Sequence, residues 1–550
     1  MGEKHHKTDN GEASFSYDSE WKDLLEHEDF KRELREDILE SYIIKQRWYG
    51  AKSSTLKYIE IIDNFVIDND ENDRFFGIVI EVNFKEAFVQ NYFIPIGLVD
   101  DTSYVDNNYI AKLELNDLSG YLVDAILLES FRKLVFQKII EGRKDKYPNI
   151  EYRKGRKCEP VEYKSSNFLG AEQSNTSIIY NDAYILKFFR RVYIDQNPDY
   201  EISKYLTNKG HFNNTPGYSG SITLRFSDKN VITLALMQEL VPNEGDAWDY
   251  FLKNIKEAFF KIKERETETD WHQLKKLDPF DKVRVGEIDH TVLDLCGRDF
   301  FEDVEKLAFR TAQMHVSLGL ERISTAFTPA PYSYDYTVWL KNRVMYMLDN
   351  RINLLENSLH KLEGMRLDMA QEILANKKLI KKRFLDFDEA KLKSERIRIH
   401  GDYHLGQVLV QDRDFYIIDF EGEPESTIRD RKVKQPPIKD VAGMFRSFNY
   451  AVYSIVFTYQ SQLHQPLETL SHIADVIYSN MVSVFLNTYI NEVQINNLNI
   501  GYDKEIEFLL QYCLLEKAVY ELGYELNARP RWTIIPLKGI SNILNDHTYE

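Results

Sequence analysis

Two aspartates, Asp402 and Asp419, bracket a short hairpin in the stretch RIHGDYHLGQVLVQDRDFYIIDFEGEP (398–424). QVLV and FYIID are β-rich and largely apolar, and QDRD between them is a polar turn, so a hairpin is predicted from local pattern. Asp402 enters the first strand and Asp419 leaves the second, so both carboxylates come to the same end. Solubility does not require them there. Two acids converging at strand ends suit a base or hydroxyl-orienting group paired with a metal ligand. Either acid alone would read as an ordinary turn residue; Gln407 and the DFE triplet at 419–421 tip the balance toward chemistry.

The elements that must hold these residues follow from the rest of the chain. At 550 residues it exceeds a single core, and two or more domains are predicted. Residues 1–20 read as a disordered polar head, and 21–46 as an amphipathic helix. Residues 56–115 read as short β-runs separated by DND, END and DD turns, and 121–142 as a helix with apolar residues three and four apart. Strand-like pieces return to about 241. From 242 the pattern is helical to the end, interrupted only by the hairpin.

Composition excludes several function classes. A net charge of −18 argues against general nucleic-acid or acidic-membrane binding, because phosphate attraction requires basic surface. Cys158, Cys296 and Cys513 are scattered without CxxC spacing, which offers no disulfide framework or structural zinc site and favours a reducing compartment. There is no apolar signal-like segment near the start and no run of eighteen apolar residues, so a cytoplasmic location is expected.

A β-rich half joined by one strand to a helical half is the architecture of protein-kinase-like phosphotransferases, an α+β bilobal fold whose parts can be sought individually. Asp402 has the place of the catalytic base. Gln407, five residues on, and Asp419 have the places of the two metal ligands. In AYILKFFRR, Lys187 sits in a strand from which it can reach α- and β-phosphates, with Glu201 on the next helix as the acid expected to position it. GAEQSNTSIIY reads as a polar turn whose Gln173, Ser174, Asn175, Thr176 and Ser177 could cover phosphates, although it lacks GxGxxG. The linking strand LALMQELVPNEGD offers Gln238, Glu239 and Val241 as the adenine hinge. In the last helical stretch Lys517, Tyr520, Glu521 and Tyr524 recur at three- and four-residue spacing, with Trp532 beyond. That combination of rings and charges is what a sugar site needs.

Together, EQSNTS, LKFFRR, NPDYEI, HGDYHLGQ, DFEGEP, DVAGMFRSFNYA and EKAVYELGYELNARPRW resemble the maltokinases of the aminoglycoside-phosphotransferase-like superfamily. The resemblance runs from QRWYGAKSS (46–54) to RPRWTIIPLKGI (529–540). It implies ATP- and magnesium-dependent phosphorylation of maltose at its anomeric hydroxyl, feeding α-glucan synthesis, with trehalose synthase as a candidate partner. It also implies a maltose surface formed by His404, Lys517, Tyr520, Glu521, Tyr524 and Trp532. A three-part division is expected: a cap over 21–115, an intermediate nucleotide-binding subdomain over 116–241, and a catalytic helical lobe over 242–550. The departures are the longer head, a Lys-, Glu- and Leu-rich excursion over 333–393, and Pro436 in place of a small hydroxyl residue. Two rival readings remain open: a kinase for another sugar or aminosugar, whose site should carry extra carboxylates for the amine, and a non-catalytic partner of trehalose synthase.

Overall fold

The β-runs of the first quarter pair as an antiparallel meander of Leu56–Asp68, Arg74–Phe84 and Val89–Val99. The computed structural model describes residues 6–7, 13–68, 74–100, 109–116, 118–142, 149–170, 174–264 and 271–545. Met1–Asn208 with Pro216–Leu240 forms one compact unit, and Lys209–Thr215 with Val241–Glu550 forms the other.

In the first unit the meander is extended by Leu118–Asp124, Ala111–Leu115 and Ala13–Tyr17, the last pairing parallel to Ala111–Leu115. The ordered strand at Ala13–Tyr17 corrects the expectation of a disordered head: SFSY alternates, and Phe15 and Tyr17 are buried in the core beneath this sheet. The helix expected over 121–142 is Glu129–Glu141, closed by Gly142 in the left-handed region at φ 64°. Residues 121–124 belong to a strand, because a period of two prevails there and Asp124 caps the following turn by accepting from Ile126 N. A second, six-stranded sheet runs in the order Ile150–Lys154, Tyr218–Arg225, Val231–Glu239, Tyr184–Phe189, Asn175–Tyr180, Ser166–Phe168. Glu129–Glu141 covers this sheet with Phe131, Val135, Phe136 and Ile139, all within one apolar core.

The second unit is built on long helices. Ile438–Leu463 packs against Leu467–Ile495 and Asp503–Ala528, and Leu467–Ile495 packs against Arg298–Leu318. The 333–393 excursion contains the helices Tyr334–Ser358, Met365–Ala375 and Lys377–Leu385. The hairpin forms from Val408–Gln411 and Asp414–Ile417. Its two turn residues, Asp412 and Arg413, adopt φ 50° and 58°, the positive values that a tight two-residue hairpin turn demands. Among the described residues, no helix is long and apolar enough to cross a membrane.

Candidate active site

The loop expected to carry catalysis, His400–Gln407 in the second unit, is held by buried polar groups. Asp440, in the first turn of the Ile438–Leu463 helix, is 2% exposed. Its carboxylate accepts from His400 N at 2.7 Å and from Gly401 N at 2.9 Å. It also meets His315 Nε2 at 3.1 Å, and His315 Nδ1 lies 2.8 Å from the Tyr489 hydroxyl. The Asp440 carboxylate can only accept, so Nε2 carries the hydrogen that faces it, and in the neutral ring Nδ1 accepts from the Tyr489 hydroxyl, which burial keeps protonated. Burial alone would raise the Asp440 pKa, but the His315 hydrogen bond, the His315 and His400 rings and the Gly401 amide hold it below its ordinary value. Asp440 thus stays ionised and fixes the two residues that precede Asp402. Gly401 is at φ 85°, and a Cβ there would meet Gly422 Cα at 3.3 Å, so glycine is required. Further along the loop, the buried Tyr403 hydroxyl lies 2.8 Å from Thr311 Oγ1, and Leu405 N donates to Ser447 Oγ at 3.1 Å.

Asp402 itself is half-buried and meets Lys517 Nζ at 3.3 Å. Burial would lower the lysine's pKa, but Asp402, Glu423 and Glu521 together outweigh it and raise it, so Lys517 is a fixed cation beside Asp402. Gln407 Nε2 donates to Asp419 Oδ2 at 3.0 Å, which brings the two expected metal ligands side by side. Asp419 sits at φ 64°, in a left-handed conformation that aspartate tolerates and that turns its side chain out of the strand's alternation. His404 caps the short turn Leu405–Gln407, its Nδ1 accepting from Gly406 N at 3.1 Å. Its pKa is lowered, chiefly by burial, which favours the neutral acceptor ring.

The expected sugar surface divides. Lys517 lies 4.9 Å from the centre of the Tyr520 ring, and this pair belongs with Asp402. Glu521 instead accepts two hydrogen bonds from the buried Arg446, at 2.7 and 2.9 Å. Trp532 stacks on Tyr450 at 6.2 Å, and Tyr524 is exposed beneath Arg529. Glu521 is thus ion-paired with Arg446 while also acting electrostatically on Lys517, and Arg529 lies against the rings of both Tyr524 and Trp532.

Two residues from the 333–393 excursion join this region without having been foreseen. Arg343 meets Glu423 at 2.7 Å and also pairs with Glu516, while Arg351 meets Glu425 at 2.7 Å. Glu516 is bridged in addition by Lys439 at 2.8 Å, and despite its burial the two cations lower its pKa to about 2. The signal available in the sequence was slight: Arg343 and Arg351 lie eight residues, about two helical turns, apart on one face.

In the first unit Lys187 meets Asp199 Oδ2 at 3.3 Å. The expected acid was Glu201. The helix begins at Pro198 behind the Asn197 cap, and both Asp199 and Glu201 lie in its first turn, with Asp199 the acid seen to pair with Lys187. Asn175, Thr176 and Ser177 are not turn residues as expected: the strand already starts at Asn175, with Ser177 paired opposite Lys187 and 1% exposed. Ser174 remains in the described turn and is exposed, and Gln173 lies outside the described residues. Gln238 spends its side chain on Ser203 Oγ at 3.1 Å, and Glu239 N donates to Gly217 O. Val241 opens the second unit.

The chain is 23% identical over 377 residues to a glucosamine kinase of Streptacidiphilus jiangxiensis, covering 68% of this chain and 72% of that protein. It is 26% identical over 149 residues to a glucosamine kinase of Mycolicibacterium smegmatis, covering 27% of this chain and 35% of that one. Among solved structures, a glucosamine kinase in complex with glucosamine, ADP and inorganic phosphate matches with a TM-score of 0.58 at 18% identity, over 91% of this chain and 96% of that one. The fold is that of a kinase-like phosphotransferase. No family model matches the chain. These relatives are glucosamine kinases, whereas the motifs resemble maltokinases; they support the wider kinase-like superfamily, and the acceptor has to be argued from the site.

Proposed function

We propose that the protein is a sugar kinase that transfers the γ-phosphoryl group of ATP to a hydroxyl of an aminosugar of the glucosamine type. The observation that carries this reading is the catalytic loop: Asp402 is held against Lys517, while Gln407 and Asp419 meet across the hairpin. Asp402 orients the acceptor hydroxyl and takes its proton. The acceptor oxygen forms its bond to the γ-phosphorus as the bond to the bridging oxygen breaks, and that electron pair leaves on ADP. Lys187, positioned by Asp199, binds the nucleotide phosphates. The amide carbonyl of Gln407 and the carboxylate of Asp419 are hard oxygen donors suited to magnesium, which would neutralise phosphate charge when bound. Positioning and electrostatics do most of the catalysis in such transfers, and no covalent phosphoenzyme is needed.

Two observations favour an aminosugar. The relatives named above are glucosamine kinases. Glu423 and Glu425, although ion-paired with Arg343 and Arg351, also act electrostatically on Tyr520 and add negative charge beside it, which favours an ammonium. Maltose, with trehalose synthase as partner, is the second reading; the half-exposed Tyr520 ring beside Lys517 favours it as a stacking surface for a disaccharide. A non-catalytic role fits poorly, because Asp402 and Asp419 are both present and both held in place. The test is ADP release at saturating ATP with glucosamine, N-acetylglucosamine, glucose and maltose. Glucosamine should exceed glucose by at least about tenfold in kcat/KM, the worth of one charge-assisted contact. A preference for maltose would install the second reading, and no acceptor-dependent ADP release would remove both.

A further inference from the structure

A cavity of about 440 Å³ in the first unit is lined by none of Lys187, Asp199, Asp402, Gln407, Asp419 and Lys517, the residues assigned to the proposed reaction. Lys45, Arg47, Trp48, Asp124, Thr176 and Arg190 are among its lining residues, and they include three cations against one acid. Arg190 is the built element. It is 3% exposed, its Nη2 meets Asp124 Oδ2 at 2.6 Å, and its Nε donates to Thr176 Oγ1 at 2.8 Å. The Trp48 ring lies 5.3 Å from its guanidinium carbon. Asp124 also accepts from Ile126 N at 3.1 Å and faces the Tyr42 hydroxyl at 3.4 Å. With the guanidinium locked on these sides, its Nη1 is buried and has no hydrogen-bond partner. A buried donor left in this way costs about 1–3 kcal/mol unless something accepts from it.

Asn175 and Ser177, on the Lys187 face of the strand, share the lining with Thr176, but the arginine is held from the other face. Thr176 pairs opposite Phe188 and Ser177 opposite Lys187, so strand alternation puts Thr176, and the Arg190 that grips it, on the opposite face of the sheet from Lys187. Lys187 does not line the cavity. Its volume falls in the range of small-molecule sites, and its charge calls for an anion with several acceptor oxygens. We propose that this cavity is a binding site for the phosphoryl group of a small molecule, either free orthophosphate or a hexose phosphate, with Arg190 Nη1, Lys45 and Arg47 as its donors.

The test is calorimetric titration of the full chain with orthophosphate and, separately, with a hexose phosphate. A non-hydrolysable ATP analogue is kept saturating so that nucleotide-site binding does not contribute, and sodium chloride of matched ionic strength is the control. One saturable equivalent is expected for at least one probe. Tighter binding of the hexose phosphate identifies a phosphoester as the ligand, and equal binding identifies free phosphate. Lys45→Gln with Arg47→Gln, both at exposed positions, should weaken binding about tenfold or more while leaving basal turnover and the unliganded Tm unchanged. Arg190→Lys, which keeps the charge but deletes Nη1, should weaken it as well. Absence of saturable binding by either probe at millimolar concentration, or unchanged affinity in the Lys45/Arg47 double variant, overturns the proposal. Neither result depends on which sugar is the acceptor.

Discussion

Replacing Asp440 by Asn should damage turnover more than its distance from the acceptor suggests. Asp440 Oδ2 serves His400 N and His315 Nε2, and Oδ1 serves Gly401 N. Asparagine offers one acceptor oxygen. In its better orientation the oxygen serves His400 and His315, and its NH2 group then opposes the Gly401 N–H. At least one buried donor is orphaned, at about 1–3 kcal/mol, and two charge-assisted bonds become neutral, at about 0.5–1 kcal/mol each. The total is about 2–5 kcal/mol of stability. Because Gly401 precedes Asp402, a shift of about 1 Å in this backbone should lower kcat about 10²-fold per folded molecule. The assay is urea unfolding in parallel with steady-state kinetics on protein shown to be folded by circular dichroism. The reasoning is refuted if stability falls while kcat per folded molecule stays at wild type, or if neither changes.

Asp419→Ala should abolish magnesium-dependent nucleotide affinity; unchanged Mg·ATP binding by calorimetry would make Asp419 a turn residue only. Tyr520→Ala should raise the acceptor KM about 5- to 150-fold, corresponding to 1–3 kcal/mol of lost ring contact, with the KM for ATP little moved; a change confined to ATP kinetics would contradict its placement. Glu516→Gln should cost about 3–5 kcal/mol by uncoupling Arg343 and Lys439, readable as a lowered urea midpoint. The pH dependence of the same group has a definite sign. With its folded pKa lowered to about 2 from an ordinary 4.5, the wild type should lose this contribution as pH falls from about 4.5 toward 2, and Glu516→Gln should flatten that decline.

What the sequence disclosed follows from how local each signal is. Gln407 and Asp419 lie within one 27-residue stretch whose hairpin is decided by strand pattern and a polar turn, so their meeting was readable. Asp440 was not assigned a role, because its work goes through backbone amides of another segment; the only hint was an acid opening an otherwise apolar helix, DVAGMF. Asp199 was not singled out beside Glu201 because its pairing with Lys187 depends on where the helix starts, which Asn197 and Pro198 set. The Arg446 partner of Glu521 was not readable, because spacing shows which face a residue shares but not what waits on the neighbouring helix. The Ala13–Tyr17 strand was overlooked because four alternating residues in a polar segment weigh little until a neighbouring strand pairs with them.

The central claim is that Asp402 is the group that engages the acceptor hydroxyl. Single-turnover phosphoryl transfer from ATP to glucosamine, compared between wild type and Asp402→Asn at saturating nucleotide, tests it most directly. The account predicts a chemical step slowed about 10²–10⁴-fold with ATP affinity nearly unchanged. An Asp402→Asn enzyme that transfers phosphate at the wild-type rate would contradict it.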